Sequence, residues 1–200
     1  GFTVVNHNGH LGTGKVLSRG SQLQAGTSGL VISNDIDITA GGFRCGGTVD
    51  YELSGNITPI DGGTRGYGNY GLEGCDLTIS GNIVMTPATN VNFEGSDNRD
   101  NGTWTITGDI SGPGNVLVQA TFDGGVVTFE GNHTYTGTTV CGTGTTVFNA
   151  TQTGGDNFNV NEAAILTGSG STNSQVTVGV NATFNPGAGV GTFTTGNLVM

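Results

Sequence analysis

Positive charge is nearly missing from this 200-residue chain, which has one lysine, four arginines and neither type after Arg99. Against 15 acidic residues this leaves a formal net charge of −10. Nucleic acid and anionic membrane surfaces are recognised through clustered Lys and Arg, so neither is an expected partner. Long apolar runs are lacking too: none approaches the ~18 residues of a membrane span. The start shows no basic segment followed by an apolar one, and so no signal peptide. It opens on Gly1 instead of Met, which suggests a processed or trimmed chain and leaves an exported protein stripped of its leader allowed. The three cysteines, Cys45, Cys75 and Cys141, form no C-x-x-C pair, so no metal or cofactor is expected from them. Charged residues make up only 10% of the chain, against a usual ~25%. That low charge and a surface of Thr, Asn and Gly fit an extracellular protein better than a cytosolic enzyme.

What the chain has in excess is glycine, threonine and asparagine, at 39, 31 and 20 residues. The glycines keep no period of three, which excludes collagen. The many β-branched residues and few charges are the reverse of a disordered composition. Short runs alternate apolar with polar residues, as in Asp35-Ile36-Asp37-Ile38-Thr39, Thr103-Trp104-Thr105-Ile106-Thr107 and Gln175-Val176-Thr177-Val178. Glycine and asparagine break these runs every five to ten residues, which is the punctuation of strands and turns.

One tetrapeptide returns. Ser54-Gly55-Asn56-Ile57 recurs as Ser80-Gly81-Asn82-Ile83 and Thr107-Gly108-Asp109-Ile110, with weaker copies at Glu130-Gly131-Asn132-His133 and Ser33-Asn34-Asp35-Ile36. Their starts are separated by 21, 26, 27 and 23 residues, too short for a domain and right for one coil of a solenoid. A single coil cannot bury its inward side chains, whereas coils stacked at the ~4.8 Å strand spacing make a continuous core. Gly and Asn at the corners are expected to supply positive φ. The expectation is one all-β domain over 1–200, a parallel β-helix of about eight coils at roughly 24 residues each. An antiparallel sandwich or barrel is the rival, but hairpins have no reason to repeat one particular turn.

The last third carries a resemblance. Gly131-Asn132-His133-Thr134-Tyr135-Thr136-Gly137-Thr138-Thr139-Val140 resembles the G-N-x-Y-x-G-x-T-x-V signature of the autotransporter-associated β-strand repeat. Ala164-Ile165-Leu166-Thr167-Gly168-Ser169-Gly170 is similar to that family's A-x-L-x-G-x-G coil. The segment from Val176 through Asn185-Pro186-Gly187 to Gly191-Thr192-Phe193 is similar to its closing coil, with Phe184 and Phe193 in place of leucine and Cys141 in place of a small polar residue. The resemblance covers 126–199 and implies a right-handed parallel β-helix exposed outside a bacterial cell. Residues 1–125 share only the looser repeat.

Candidate sites are few. Asp35 and Asp37 share a strand face, and Asp97 and Asp100 lie near Arg99. The half of the chain after residue 100 has five acids and no cation, so these read as solvated acids, not a catalytic set. Ser96 to Gly102 looks like a calcium loop, but Arg99 falls where an oxygen ligand belongs. His7 and His10 read as an exposed polar loop. The segment 61–75 reads as a loop with Arg65, Tyr67 and Tyr70 among glycines, suited to contact a glycan or a host-surface protein, or folded back over an open coil. Cys45 and Cys75 flank it, and a disulfide between them would staple it at ~3 kcal/mol. Cys141 would be left over. Asn56, Asn101, Asn132, Asn149 and Asn181 begin N-x-[ST] sequons, which so much Asn and Thr also produces by chance.

Solenoids need polar caps, yet the chain opens with apolar Phe2, Val4 and Val5 and closes with Leu198, Val199 and Met200. Such ends belong to a longer passenger chain or meet head to tail in a homopolymer. The functional expectation is a non-enzymatic extracellular structural protein: a stalk, fibre or matrix subunit assembling end to end. A second reading is an adhesin segment using the 61–75 loop, and a third is a polysaccharide lyase or hydrolase.

Overall fold

The computed structural model describes residues 1–45, 49–60, 62–69, 75–95, 102–120, 125–187 and 191–200. The chain winds as a β-solenoid. It begins with β1 (Phe2–Val5), and two coils follow with one long and one short strand each: β2 (Val16–Ala25) with β3 (Leu30–Ile32), and β4 (Ile36–Cys45) with β5 (Tyr51–Leu53). The long strand then divides into β6 (Ile57–Pro59) and β7 (Gly63–Asn69), with β8 (Leu77–Ile79) as the short strand of that coil. The next coil has β9 (Ile83–Val84), β10 (Thr89–Gly95) and β11 (Thr103–Ile106), and the one after it β12 (Ile110–Ser111), β13 (Val116–Ala120) and β14 (Val126–Phe129). Three more coils repeat the plan as β15 (Asn132–His133), β16 (Thr139–Thr143) and β17 (Thr145–Phe148); β18 (Thr151–Gln152), β19 (Asn157–Val160) and β20 (Ile165–Gly168); and β21 (Ser171–Thr172), β22 (Gln175–Val178) and β23 (Thr183–Pro186). With β24 (Asn197–Val199) another turn begins.

The strands stack into three sheets: a thirteen-stranded one of β1, β2, β4, β6, β7, β9, β10, β12, β13, β16, β19, β22 and β24, an eight-stranded one running β3-β5-β8-β11-β14-β17-β20-β23, and a short one of β15, β18 and β21. Neighbouring strands within a sheet are one coil apart in sequence and parallel, as in β11 on β14 and β14 on β17. Parallel pairing at coil intervals excludes the sandwich and the barrel. The eight strands of the second sheet count about eight coils.

Period-two alternation supplies the core. Ile36, Ile57, Ile83 and Ile110 sit in register, none more than 1% exposed, and so pack on one another up the axis. Each such buried side chain contributes roughly 1.5–3 kcal/mol. Aromatic rings continue the core: Phe93 meets Trp104 and Phe129, Phe129 meets Phe148, and Phe148 meets Phe158 and Phe193 at centroid distances of 5.2–6.2 Å.

The tetrapeptide repeat has a structural cause different from the expected one. At Gly55, Gly81 and Gly108 φ is not positive; among the repeat's glycines only Gly131 has the expected conformation, at 88°, which otherwise falls at residues such as Gly29, Gly112 and Ala88. At Gly55, Gly81 and Gly108 the backbone lies directly against the preceding coil, and a Cβ would come within about 2 Å of a carbonyl oxygen: 2.0 Å from Asn34, 1.9 Å from Gly55 and 2.1 Å from Gly81. Space, not backbone freedom, demands glycine. The next position makes a ladder of side-chain acceptors: Asp35 takes the Asn56 N–H at 2.9 Å, Asn56 that of Asn82 at 3.3 Å, Asn82 that of Asp109 at 3.0 Å, and Asp109 that of Asn132 at 2.8 Å. Strand-end N–H groups are thereby satisfied between coils. Asn82→Ala therefore removes the Asp109 partner, and a loss of about 1 kcal/mol in urea unfolding is expected.

Candidate functional site

Many of the residues that the sequence offers for chemistry are engaged in holding the coils together. Asp35 and Asp37 flank Ile36 on its outward side; one accepts the Asn56 N–H, and the other pairs with Lys15 at 3.1 Å. Asp76 accepts both the backbone N–H and the hydroxyl of Thr103, at 3.0 and 2.6 Å, and Asp50 accepts the Asp76 N–H at 2.8 Å. These carboxylates brace one coil on the next. Asp97, Arg99, Asp100 and Asn101 lie outside the described residues. Among the described residues, no group of three or more His, Cys, Asp or Glu is placed to hold a metal ion.

The turn before β2 does converge His7 and His10, whose tilted rings lie 3.5 Å apart between centroids, and His10 Nδ1 accepts the Asn6 N–H at 3.1 Å. His7 lines a cavity of about 390 Å³ between residues 7–15 and 31–35. Its walls are tied together from within: Asn8 accepts the Val31 N–H, and the Asn34 amide donates to the carbonyls of Gly12 and Gly14. Both histidines are exposed.

Most of the described residues in the segment expected to be a loop form a strand. Residues 63–69 form β7, which pairs with both β4 and β10. Its backbone sets Tyr67 in register with Phe43 and Phe93, two core residues, and Arg65 with Val91. The segment thus completes a coil instead of interrupting one. The side chains of Arg65 and Tyr67, and Tyr70 altogether, lie outside the described residues. Cys75 is buried and disulfide-bonded. Cys45 ends β4, with its side chain outside the described residues. Cys141 is a free thiol, fully buried between Val118 and Val160 in register, and burial pushes its pKa up to about 12. The sequon asparagines Asn56 and Asn149 accept N–H groups from the next coil, and Asn181 donates to Glu162.

The sequence gives less warning of a buried polar seam in the C-terminal coils. His133 stands where the repeat elsewhere has isoleucine, and β15, β18 and β21 stack His133, Gln152 and Thr172 in register. All three are buried. Thr172 donates to the Gln152 carbonyl oxygen at 2.6 Å, the Gln152 amide donates to Thr139 at 3.3 Å, and Thr139 shares a 2.5 Å hydrogen bond with the Tyr135 hydroxyl. Burial raises the Tyr135 pKa well above the usual phenol range. His133 Nδ1 accepts the Ile110 N–H at 3.1 Å, which puts the ring proton on Nε2, where no acceptor is found. The ring packs among Phe129, Tyr135 and Phe148. The only advance signal was the substitution of His for Ile in the fourth copy of the repeat.

Burial in that apolar cage lowers the His133 pKa to about 4, with Asp109 opposing the shift. The unfolded chain binds its proton near pH 6.5, while the folded chain resists until about pH 4, so stability is full above pH 6.5 and falls as the pH drops towards 4. The expected loss is about 3 kcal/mol. Urea unfolding at a series of pH values measures it, and His133→Asn, which keeps an acceptor for Ile110 without titrating, should flatten that part of the profile.

In comparisons with protein families, curated proteins and solved structures, the chain matches none.

Proposed function

We propose that the chain is a passive structural element displayed outside the cell, part of a stalk, fibre or matrix whose coils continue along one axis. The observation that carries this reading is the direction of its polar investment. Asp35, Asn56, Asn82 and Asp109 form one axial ladder, Asp50 and Asp76 a second, and Asn90 and Asn115 a third. In these ladders, among the described residues, carboxylates and amides that could act on a substrate instead join one coil to the next. An enzyme of this shape would leave several acids unengaged over one stretch of surface.

The rims of the described stack support axial continuation. Among the described strands, β1 pairs only with β2 and β24 only with β22. Phe2, Val4, Leu198, Val199 and Met200 are all at least 44% exposed there, whereas Val5 is buried. A further coil, from a second copy or from more of the same chain, would extend the hydrogen-bond ladder and cover these side chains. Electron microscopy of the untagged protein as released by its own cells tests the reading. Thin rods or filaments at the cell exterior are expected. Protein confined to the cytoplasm, or release of new reducing ends from acidic polysaccharides by the purified chain, would overturn it.

A further inference from the structure

We propose that the outward face of the eight-stranded sheet is an ice-binding surface. From β11 to β23 that face presents two columns in register: Thr103, Val126, Thr145, Ile165 and Thr183, beside Thr105, Thr128, Val147, Thr167 and Asn185. All but Asn185 are β-branched. Each is half-buried or exposed and alternates with an inward residue, as in β11, β14, β17 and β20. The pairings across these five strands run without a register shift, whereas the larger sheet has shifts between β13 and β16 and between β2 and β4.

Parallel strands and period-two side chains lay out a grid of ~4.8 Å along the axis by ~6.7 Å along each strand. The oxygen lattice of hexagonal ice repeats at distances close to both. β-Branched side chains have strongly restricted χ1, so the methyls and hydroxyls hold their grid points without ordering on contact. Thr103 and Thr167 direct their hydroxyls to Asp76 and to the Asn185 carbonyl. Those of Thr105, Thr128 and Thr145 make no hydrogen bond to described residues and are left for water. None of the ten positions is charged. Ionised groups orient water around themselves and break a lattice, whereas a rigid grid of hydroxyls and methyls leaves the first water layer free to take up ice positions.

The same coils show the contrast on their other face. There the outward positions are Asn115, Thr138, Asn157, Gln175 and Asn197, beside Leu117, Val140, Asn159, Thr177 and Val199. Amides take five of these ten positions and β-branched residues four, against one and nine on the grid. A crystalline polysaccharide is the less suitable ligand, because sugar faces are bound by stacked aromatic rings and the grid has none. A second copy is less suitable too: five strands offer on the order of 300 Å² per partner, well below the ~800 Å² of a stable interface.

The test is partition of the full chain into slowly grown ice, together with ice recrystallisation in its presence. The wild-type chain is expected to enter the ice and to keep crystals small. Thr128→Tyr and, separately, Thr145→Lys should abolish both effects, with Asn159→Lys on the amide-rich face as the retained control. Thermal unfolding confirms which variants are folded, and either folded grid variant suffices. Exclusion of the wild-type chain from ice would overturn the proposal, whether or not it is retained on crystalline cellulose. So would a folded grid variant that binds ice as the wild type does, or a folded Asn159→Lys that loses binding equally.

Discussion

Gly81→Ala is expected to destabilise the solenoid by about 3–5 kcal/mol, an effect far outside the usual range for adding one methyl group. The added Cβ would lie 1.9 Å from the Gly55 carbonyl oxygen and 2.5 Å from its carbon. Both are backbone atoms of the preceding coil, so no rotamer can relieve the clash. Moving that backbone disturbs the Asn56–Asn82 rung beside it and the isoleucine column one residue further on. Gly14→Ala is the matched control: its Cβ meets nothing within 4 Å and its φ is not positive. It should change stability by no more than ~0.5 kcal/mol. Urea midpoints of the two variants measure the difference, and a Gly81→Ala midpoint close to that of Gly14→Ala would contradict the close-approach account.

Phe148→Ala should have an effect of similar size for the opposite reason. Its ring is fully buried and meets Phe129, His133, Phe158 and Phe193 at centroid distances of 5.9, 6.0, 5.2 and 6.0 Å. Removing it leaves a cavity where coils contributing to several strands converge, with a cost of about 3–5 kcal/mol. Phe148→Leu fills part of that volume and should recover much of the loss. Calorimetry of the three proteins gives the ordering. Equal melting temperatures for wild type and Phe148→Ala would mean that the aromatic column is not continuous.

The coil plan could be read in the sequence because it is written locally. A corner that approaches its neighbour so closely admits only glycine, and the ladder beside it admits only a short side-chain acceptor. The Gly-Asn or Gly-Asp pair therefore returns at 55, 81 and 108, in three successive passes of that corner. The reason for the glycine could not be read that way. Ordinary φ with a carbonyl 1.9 Å away looks the same in sequence as positive φ with open space, as Gly81 and Gly29 show. β7 was missed because glycines at 63, 66 and 68 hide the alternation that pairing with β4 and β10 enforces. The buried seam was missed for a third reason: threonine, glutamine and histidine are ordinarily surface residues, and only coil stacking brings Gln152 to Thr172 and Thr139, and His133 Nδ1 to the Ile110 N–H, inside. The grid on the eight-stranded sheet was half visible, since Thr103-Trp104-Thr105 alternates plainly. Its alignment with Val126, Thr145 and Ile165 depends on coil lengths that only the register supplies.

The measurement that bears most directly on the axial stack is the distance between spin labels at Val31 and Asn185. Both positions are exposed and lie in one outward column, seven strands apart in the eight-stranded sheet. Seven steps at ~4.8 Å predict a narrow distribution centred near about 34 Å, and a label at Thr128 in place of Asn185 shortens it to about 19 Å. Distances that fail to scale with the number of intervening coils, or a broad distribution for the Val31–Asn185 pair, would contradict a continuous parallel solenoid and the structural role argued from it.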